Sequence, residues 1–138
     1  MSAYLDASVV VALFVEDDLS NRAAKAFDVL PEPPTLSDYA ALEFAASITR
    51  MMRAGMLTAK ESADVLSEFD TWRAARCVHA ETTAEDVDAA SALVRTKNIA
   101  LRTSDAIHAA IAKRMGLSLM TFDKKLASNA RRLGVTIA

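Results

Sequence analysis

Apolar positions follow two patterns along the chain, which predict two kinds of element. Short apolar runs indicate strands, and longer segments whose apolar residues lie three or four positions apart indicate helices. The predicted strands are residues 3–6, 76–80, 117–121 and 135–137. The predicted helices are residues 8–15, 20–29, 38–54, 58–72, 83–97, 103–115 and 123–133. The PEPPT segment at residues 31–35 predicts a loop.

Residues at the helix ends support several of these boundaries. Gly55 and Gly116 directly follow predicted helices, and glycine favours the left-handed conformation in which many helices end. Thr58 and Glu61 have the spacing of a capping box, and Thr83 is placed to cap the next helix.

The order of the elements predicts the fold class. Short apolar strands separated by helices indicate an α/β fold, in which a central parallel sheet is covered by helices on both faces. Sheets of this kind bind ligands at the carboxyl ends of their strands. Polar residues that follow predicted strands are therefore the first candidates for a functional site.

Composition narrows the classes of protein. The 138 residues are 52% hydrophobic and 25% charged, which is typical of a globular protein, and we expect one domain over residues 1–138. Cys77 is the single cysteine, so an internal disulfide is excluded and a reducing cytoplasmic location fits. We expect no secretory signal and no membrane association, since no apolar run approaches the ~20 residues of a membrane span.

Four carboxylates occupy positions where such a fold places its sites. Asp6 ends the first predicted strand, and Asp123 closely follows the strand at residues 117–121. If these two strands are neighbours, both side chains emerge at the same edge of the sheet. Asp105 lies in the first turn of its predicted helix, and Glu43 lies on a polar helix face.

Each carboxylate also has an ordinary structural explanation. Asp105 and Asp123 are placed where helix caps and first-turn acids stabilise a helix by typically ~0.3–1 kcal/mol. Glu43 fits a solvated helix position that it shares with Ser47 and Arg50. Asp6 fits a turn or a cap less well, because it ends an apolar strand.

A cluster of these carboxylates would require a cation. Neighbouring carboxylates raise one another's pKa unless positive charge neutralises them. The chain has one cysteine and two histidines, so oxygen ligands dominate, and Mg²⁺ or Mn²⁺ fits them better than Zn²⁺. Because such ions commonly serve phosphate chemistry, a metal site of this kind would indicate a reaction at phosphate.

The residues around these acids resemble a known family. The segments YLDASVV, ALEFAAS, SDAIHAA, TFDKKL and ARRLGVTI occur in the order typical of the PIN-domain family. Within it, the chain resembles the VapC-type toxins of type II toxin–antitoxin pairs, from residue 3 to residue 137. The resemblance implies a PIN-like α/β/α domain that acts as an Mg²⁺- or Mn²⁺-dependent endoribonuclease on RNA.

The resemblance also implies roles for individual residues. The catalytic and metal-binding quartet is Asp6, Asp105, Asp123 and Glu43, the last of these directly or through water. Ser8 and Thr121 match supporting hydroxyl residues. His108 matches a recurrent histidine, which we interpret as a packing residue. Ala7 departs from the threonine that is common after the first acid.

The charge distribution bears on the substrate. The formal net charge of −2 does not indicate nucleic-acid binding. Basic residues nevertheless outnumber acidic ones after residue 120, beside Asp123. We interpret Lys124, Lys125 and Arg131 as RNA-binding residues. An ordinary charged surface helix explains the same pattern.

The helices predicted at residues 38–54 and 58–72 carry more apolar side chains than one core-facing stripe requires. These residues are Met51, Met52, Met56, Leu57, Phe69 and Trp72. Core packing explains them, and so does a groove for an amphipathic helix of a partner. The resemblance supplies a cognate antitoxin as that partner and implies a homodimer.

Other classes of protein remain open. A non-catalytic PIN-like binding module has the same fold. A receiver-type phosphoacceptor domain needs adjacent acids after its first strand, where Asp6 stands alone. A haloacid-dehalogenase-type phosphatase needs a second aspartate at position 8, where this chain has Ser8.

Overall fold

The computed structural model describes residues 2–138. Its strands are β1 (Ala3–Leu5), β2 (Thr35–Ser37), β3 (Val78–Ala80) and β4 (Ser118–Met120). Its helices are α1 (Ala7–Phe14), α2 (Ser20–Asp28), α3 (Asp38–Arg53), α4 (Ala59–Arg76), α5 (Ala84–Val94), α6 (Thr103–Met115) and α7 (Lys124–Arg132). None of the helices in this described part of the chain is long and apolar enough to cross a membrane.

The strands described within residues 2–138 form one parallel sheet of four, in the order β3-β2-β1-β4. β1 lies between β2 and β4, and Tyr4 is in register with Leu119. The residues that follow β1 and β4 therefore share one edge of the sheet. This arrangement confirms the predicted α/β class with a central parallel sheet.

The side chains of the sheet point alternately into two hydrophobic layers. Leu5 and Leu36 pack with residues of helices α1 to α4, whereas Tyr4 and Leu119 pack with residues of α5 to α7. All four side chains are fully buried. Because helices cover both faces, β1, β2 and β4 are buried at every position instead of alternating between buried and exposed ones.

Helix α6 is buried on more faces than its sequence pattern predicts. The apolar spacing predicts one inward stripe containing Ile107 and Ile111, but every residue from 105 to 112 is buried. Four of these eight residues are alanines, whose small side chains let neighbouring elements approach closely. Asp105 and His108 consequently lie inside the protein.

The largest correction concerns residues 35–37. The PEPPT segment was predicted as a loop through Thr35, but Thr35 opens the interior strand β2, which pairs with both β1 and β3. Three residues between a proline-rich segment and a helix cap carry too short a pattern to be recognised as a strand.

Several element ends also differ from the prediction. Helix α4 continues to Arg76 instead of ending near residue 72, and α5 ends at Val94 before residue 97. The region after α5 leaves helical geometry, with Asn98 at a positive φ of 69°. Residues 135–137 contribute an isolated bridge between Leu119 and Ile137 instead of a strand.

A buried ion pair joins α5 to α6. The Asp86 side chain is 1% exposed and accepts hydrogen bonds from Arg114 Nε at 2.7 Å and Nη2 at 2.9 Å. The Thr83 backbone N–H also donates to Asp86. Burial opposes ionisation of Asp86, but the hydrogen bonds from Arg114 and Thr83 outweigh it and hold the pKa of Asp86 below its ordinary value.

We expect Arg114→Ala to lower the free energy of unfolding by about 1–3 kcal/mol, because a buried carboxylate then loses its main partner. Urea denaturation at neutral pH measures this change. Lys113→Ala removes an exposed cation from the same helix and should have little effect.

The effect of Arg114→Ala should depend on pH with a defined sign. Because folding lowers the pKa of Asp86, the ion pair stabilises fully above the unfolded aspartate value of 3.8 and is lost as the pH falls below it. The stability difference between wild type and variant should therefore shrink in acid. A difference that stays constant down to about pH 3 would contradict this assignment.

Candidate active site

A cleft of about 610 Å³ opens at the carboxyl ends of β1 and β4. Residues from α1, α3, α6 and α7 line it, together with the residues that follow the two strands. The four acids singled out from the sequence are all among the lining residues: Asp6, Glu43, Asp105 and Asp123. The fold thus brings together carboxylates that are up to 117 positions apart in the chain.

Asp6 occupies the N-cap position of α1, but its carboxylate makes no capping hydrogen bond. Instead, its Oδ2 accepts hydrogen bonds from Ser8 Oγ and Thr121 Oγ1, each at 2.7 Å. Its Oδ1 lies 3.5 Å from His108 Nε2. The side chain is nearly buried, and two hydroxyls fix the orientation in which Oδ1 faces the other site residues.

The two hydroxyls are themselves held by the backbone after β4. The N–H of Phe122 donates to Ser8 Oγ at 3.1 Å, and the N–H of Asp123 donates to Thr121 Oγ1 at 3.0 Å. Each hydroxyl therefore accepts from the backbone and donates to Asp6. The neighbouring strands β1 and β4 are joined at this edge by a side-chain network as well as by their ladder.

His108 connects the cleft to Tyr4, which lies in the hydrophobic layer formed with α5 to α7. Its Nδ1 contacts the Tyr4 hydroxyl at 2.7 Å, and its Nε2 contacts Glu43 Oε1. The Tyr4 hydroxyl also contacts Ser37 Oγ at 2.7 Å. Burial raises the pKa of Tyr4, so its hydroxyl keeps the proton that these hydrogen bonds require.

The imidazole is a packing residue, as the sequence predicts, and it also contacts the acids of the cleft. It is 1% exposed and packs between the rings of Tyr4 and Tyr39, with centroids at 5.6 and 5.5 Å. It also presents Nε2 to two carboxylates.

Three of these groups could hold a metal ion together. One ligand atom each from Asp6, Glu43 and His108 lies within 4.8 Å of the other two. The two carboxylates suit Mg²⁺ or Mn²⁺, and the imidazole is a donor more typical of transition metals. The donor set therefore fits the divalent cation that the sequence predicts, with His108 as an additional donor.

Asp105 and Asp123 share a different cation, the guanidinium of Arg102. Arg102 Nη2 donates to Asp123 Oδ2 at 2.8 Å, and Arg102 Nε lies 3.4 Å from Asp105 Oδ2. Burial raises the pKa of Asp105, and the charges of Asp123 and Asp6 add to this effect, while Arg102 opposes it. The negative charges of Asp123 and Asp6 therefore oppose ionisation of Asp105, which is the more buried acid of this pair.

Asp123 is both a cap and a cleft residue. Its Oδ1 accepts from the N–H groups of Lys125 and Leu126 at 2.9 and 3.0 Å, which caps α7. Its Oδ2 faces the cleft and Arg102. The capping explanation therefore accounts for one of the two oxygens and leaves the other available.

The basic residues of the cleft are not the ones that sequence reasoning proposed. Lys124, Lys125 and Arg131 are exposed on α7 and do not line the cleft. Arg50 and Arg102 line it. Arg50 was recognisable from its position on the helix face of Glu43, and Arg102 from its place three residues before Asp105.

An apolar groove adjoins the cleft. Phe69 is buried in the core and Trp72 packs against it, which accounts for part of the apolar excess on α3 and α4. The groove is lined by Phe14, Val15, Met51, Met56, Leu57 and Val65, with Glu16, Glu61 and Asp64 also along it. Met51 and Met56 line both the groove and the cleft, so the two are continuous.

Known proteins share this fold. The chain is 32% identical over 127 residues to Ribonuclease VapC3 of Pyrobaculum aerophilum, covering 92% of this chain and 93% of that protein. The Mycobacterium tuberculosis structure of VapC20, a sarcin-ricin loop cleaving toxin, has a TM-score of 0.73 at 18% identity and covers 92% of this chain and 94% of that one.

A second solved structure matches over the full length of the chain. VapBC2 from Rickettsia felis, bound to a DNA fragment from its promoter, gives a TM-score of 0.72 at 14% identity, covering 100% of this chain and 98% of that one. At such identities the structures show a shared fold. Residues 3–132 match the PIN domain family. Together with the identity to Ribonuclease VapC3, this match establishes that the chain belongs to the PIN domain family.

Proposed function

We propose that this chain is a metal-dependent endoribonuclease that hydrolyses RNA phosphodiester bonds and is the toxin of a toxin–antitoxin pair. The observation that carries the proposal is the fixed Asp6 carboxylate, which meets Glu43 and His108 at the edge of the sheet. The ribonuclease name of the relative at 32% identity supports the same reaction.

Some of the site residues would bind the metal ion, and others orient the residues that bind it. Asp6, Glu43, Asp105 and Asp123 would hold Mg²⁺ or Mn²⁺, and His108 is placed to assist. When bound, such an ion supplies a Lewis acid that activates water and stabilises the departing oxygen. Ser8 and Thr121 keep Asp6 in one orientation. The mechanism needs no covalent nucleophile from the chain.

The partner proposals follow from the surface around the cleft. The apolar groove, with its acidic residues, suits an amphipathic and basic helix of an antitoxin. Because the groove is continuous with the cleft, a segment following that helix would reach the four acids and block them. The similarity to the VapBC2 structure supports an antitoxin as this partner. We also propose that the toxin acts as a homodimer.

The rival classes have less support. A receiver-type domain or a haloacid-dehalogenase-type phosphatase disagrees with the PIN domain match over residues 3–132. A non-catalytic PIN-like module would not need four acids in one cleft, nor the hydroxyl pair that orients Asp6.

Asp6→Asn should lower RNA cleavage more than about 100-fold, beyond the loss typical of an outer partner of a metal ligand. The amide keeps the size of the side chain but removes a charged ligand. Cleavage of a labelled RNA, with and without EDTA, measures the effect. Asp88→Asn, on the exposed side of α5, is the matched control. Full cleavage by Asp6→Asn, or cleavage that resists EDTA, would refute the proposal.

Tyr4→Phe should weaken Mn²⁺ binding and cleavage by about 10- to 100-fold, because His108 loses the hydroxyl that orients its ring. Calorimetry of Mn²⁺ binding and the cleavage assay provide the two readouts. Tyr39→Phe is the control, since the Tyr39 ring packs against the same imidazole. Equal effects of both substitutions would argue against orientation through the Tyr4 hydroxyl.

Lys124→Glu combined with Lys125→Glu should weaken RNA binding and reduce its dependence on salt, because two cations near Asp123 are reversed. Mn²⁺ affinity should stay the same. Fluorescence anisotropy in EDTA measures RNA binding without cleavage. The control, Lys97→Glu with Lys113→Glu, makes the same charge change away from the cleft. If both double variants weaken RNA binding equally, the effect is one of general charge, and Lys124 and Lys125 form no specific RNA-binding surface.

A further inference from the structure

Arg102 lies at the mouth of the cleft, at the N-cap position of α6. Its side chain is 62% exposed, yet its guanidinium reaches one oxygen of Asp105 and one of Asp123. Within residues 2–138, these two contacts are its ion pairs. The surrounding acids raise the pKa of Arg102, so it remains a cation at every physiological pH.

Arg102 contacts one oxygen of each of two acids that line the cleft. Asp123 Oδ1 is engaged by the backbone N–H groups at the start of α7, so Oδ2 is the oxygen left for a ligand. Arg102 Nη2 holds that oxygen at 2.8 Å. A cation that binds Asp123 through Oδ2 therefore has to compete with the guanidinium.

The attachment of Arg102 is weak enough to be exchanged. One contact is short, but the second, to Asp105, is 3.4 Å long. The shorter contact joins two side chains that are 62% and 32% exposed, and exposed ion pairs contribute little net stability because water solvates the partners when they separate. A divalent ion carries twice the charge, and carboxylates bind it directly.

We propose that Arg102 is an internal counter-cation, which contacts the Oδ2 atoms of Asp105 and Asp123 and leaves when a divalent ion binds. This inference rests on the proposed metal-dependent function of the cleft. Once released, the guanidinium stays tethered at the mouth of the cleft, where it can bind a phosphate of the RNA. Arg102 thus opposes metal binding and favours substrate binding.

Titration of the full chain with Mn²⁺, followed by calorimetry without RNA, tests the competition. Arg102→Gln should bind Mn²⁺ at least about 5-fold more tightly than wild type, the lower end of typical coupling between two linked events. Arg102→Lys keeps the charge but lacks the planar group that contacts both carboxylates. Its Mn²⁺ affinity should therefore lie between those of wild type and Arg102→Gln. Circular dichroism establishes that each variant is folded.

Arg50→Gln separates displacement from long-range charge. Arg50 also lines the cleft, but it makes no ion pair within residues 2–138. Its removal should change the Mn²⁺ affinity less than about 2-fold. In steady-state cleavage, Arg102→Gln should need less Mn²⁺ for half-maximal rate while its KM for RNA rises. A purely structural role would not move these two quantities in opposite directions.

The outcomes are distinct. Unchanged Mn²⁺ affinity in Arg102→Gln would overturn the counter-cation role and leave the ribonuclease proposal intact. Equal tightening by Arg50→Gln would overturn displacement in favour of general charge. A wild-type chain that binds no Mn²⁺ and cleaves RNA in EDTA would overturn the metal site itself, and this inference with it.

Discussion

Repulsion between carboxylates that share one cleft is the constraint around which this structure is arranged. The four acids have donors of three kinds: a pair of hydroxyls, an imidazole and a guanidinium that two of the acids share. The contacts are Asp6 with Ser8 and Thr121, Glu43 with His108, and Asp105 and Asp123 with Arg102. The cluster is therefore tolerable before any ion is bound, and it keeps oxygens directed at a common space.

Most of these donors come from segments far away in the sequence. Thr121 follows β4 and acts on Asp6 after β1, so the Asp6 orientation exists only when the two strands pair. His108 lies on α6 but takes its orientation from Tyr4 in β1. The site is consequently a product of the complete sheet and its covering helices, and no isolated segment contains it.

The sequence was sufficient for the fold class and for most elements, because strand and helix periods and helix caps are local signals. The resemblance to the PIN-domain family is confirmed, while the roles of the individual acids stay predictions. The strand Thr35–Ser37 was missed, since three residues carry no period. The burial of α6 and the contacts of Arg102 depend on tertiary packing, which spacing along one chain does not encode.

The hydroxyl oxygen of Ser37 contacts both the first turn of α3 and the buried hydrogen-bond network of the site. Its Oγ accepts from the Ala40 N–H at the start of α3, and the same atom contacts the Tyr4 hydroxyl that orients His108. A threonine at this position would keep the hydroxyl, whereas a residue without one would disturb a helix boundary and an imidazole together. Through this shared atom, the local folding of α3 and the chemistry of the cleft are under the same mutational constraint.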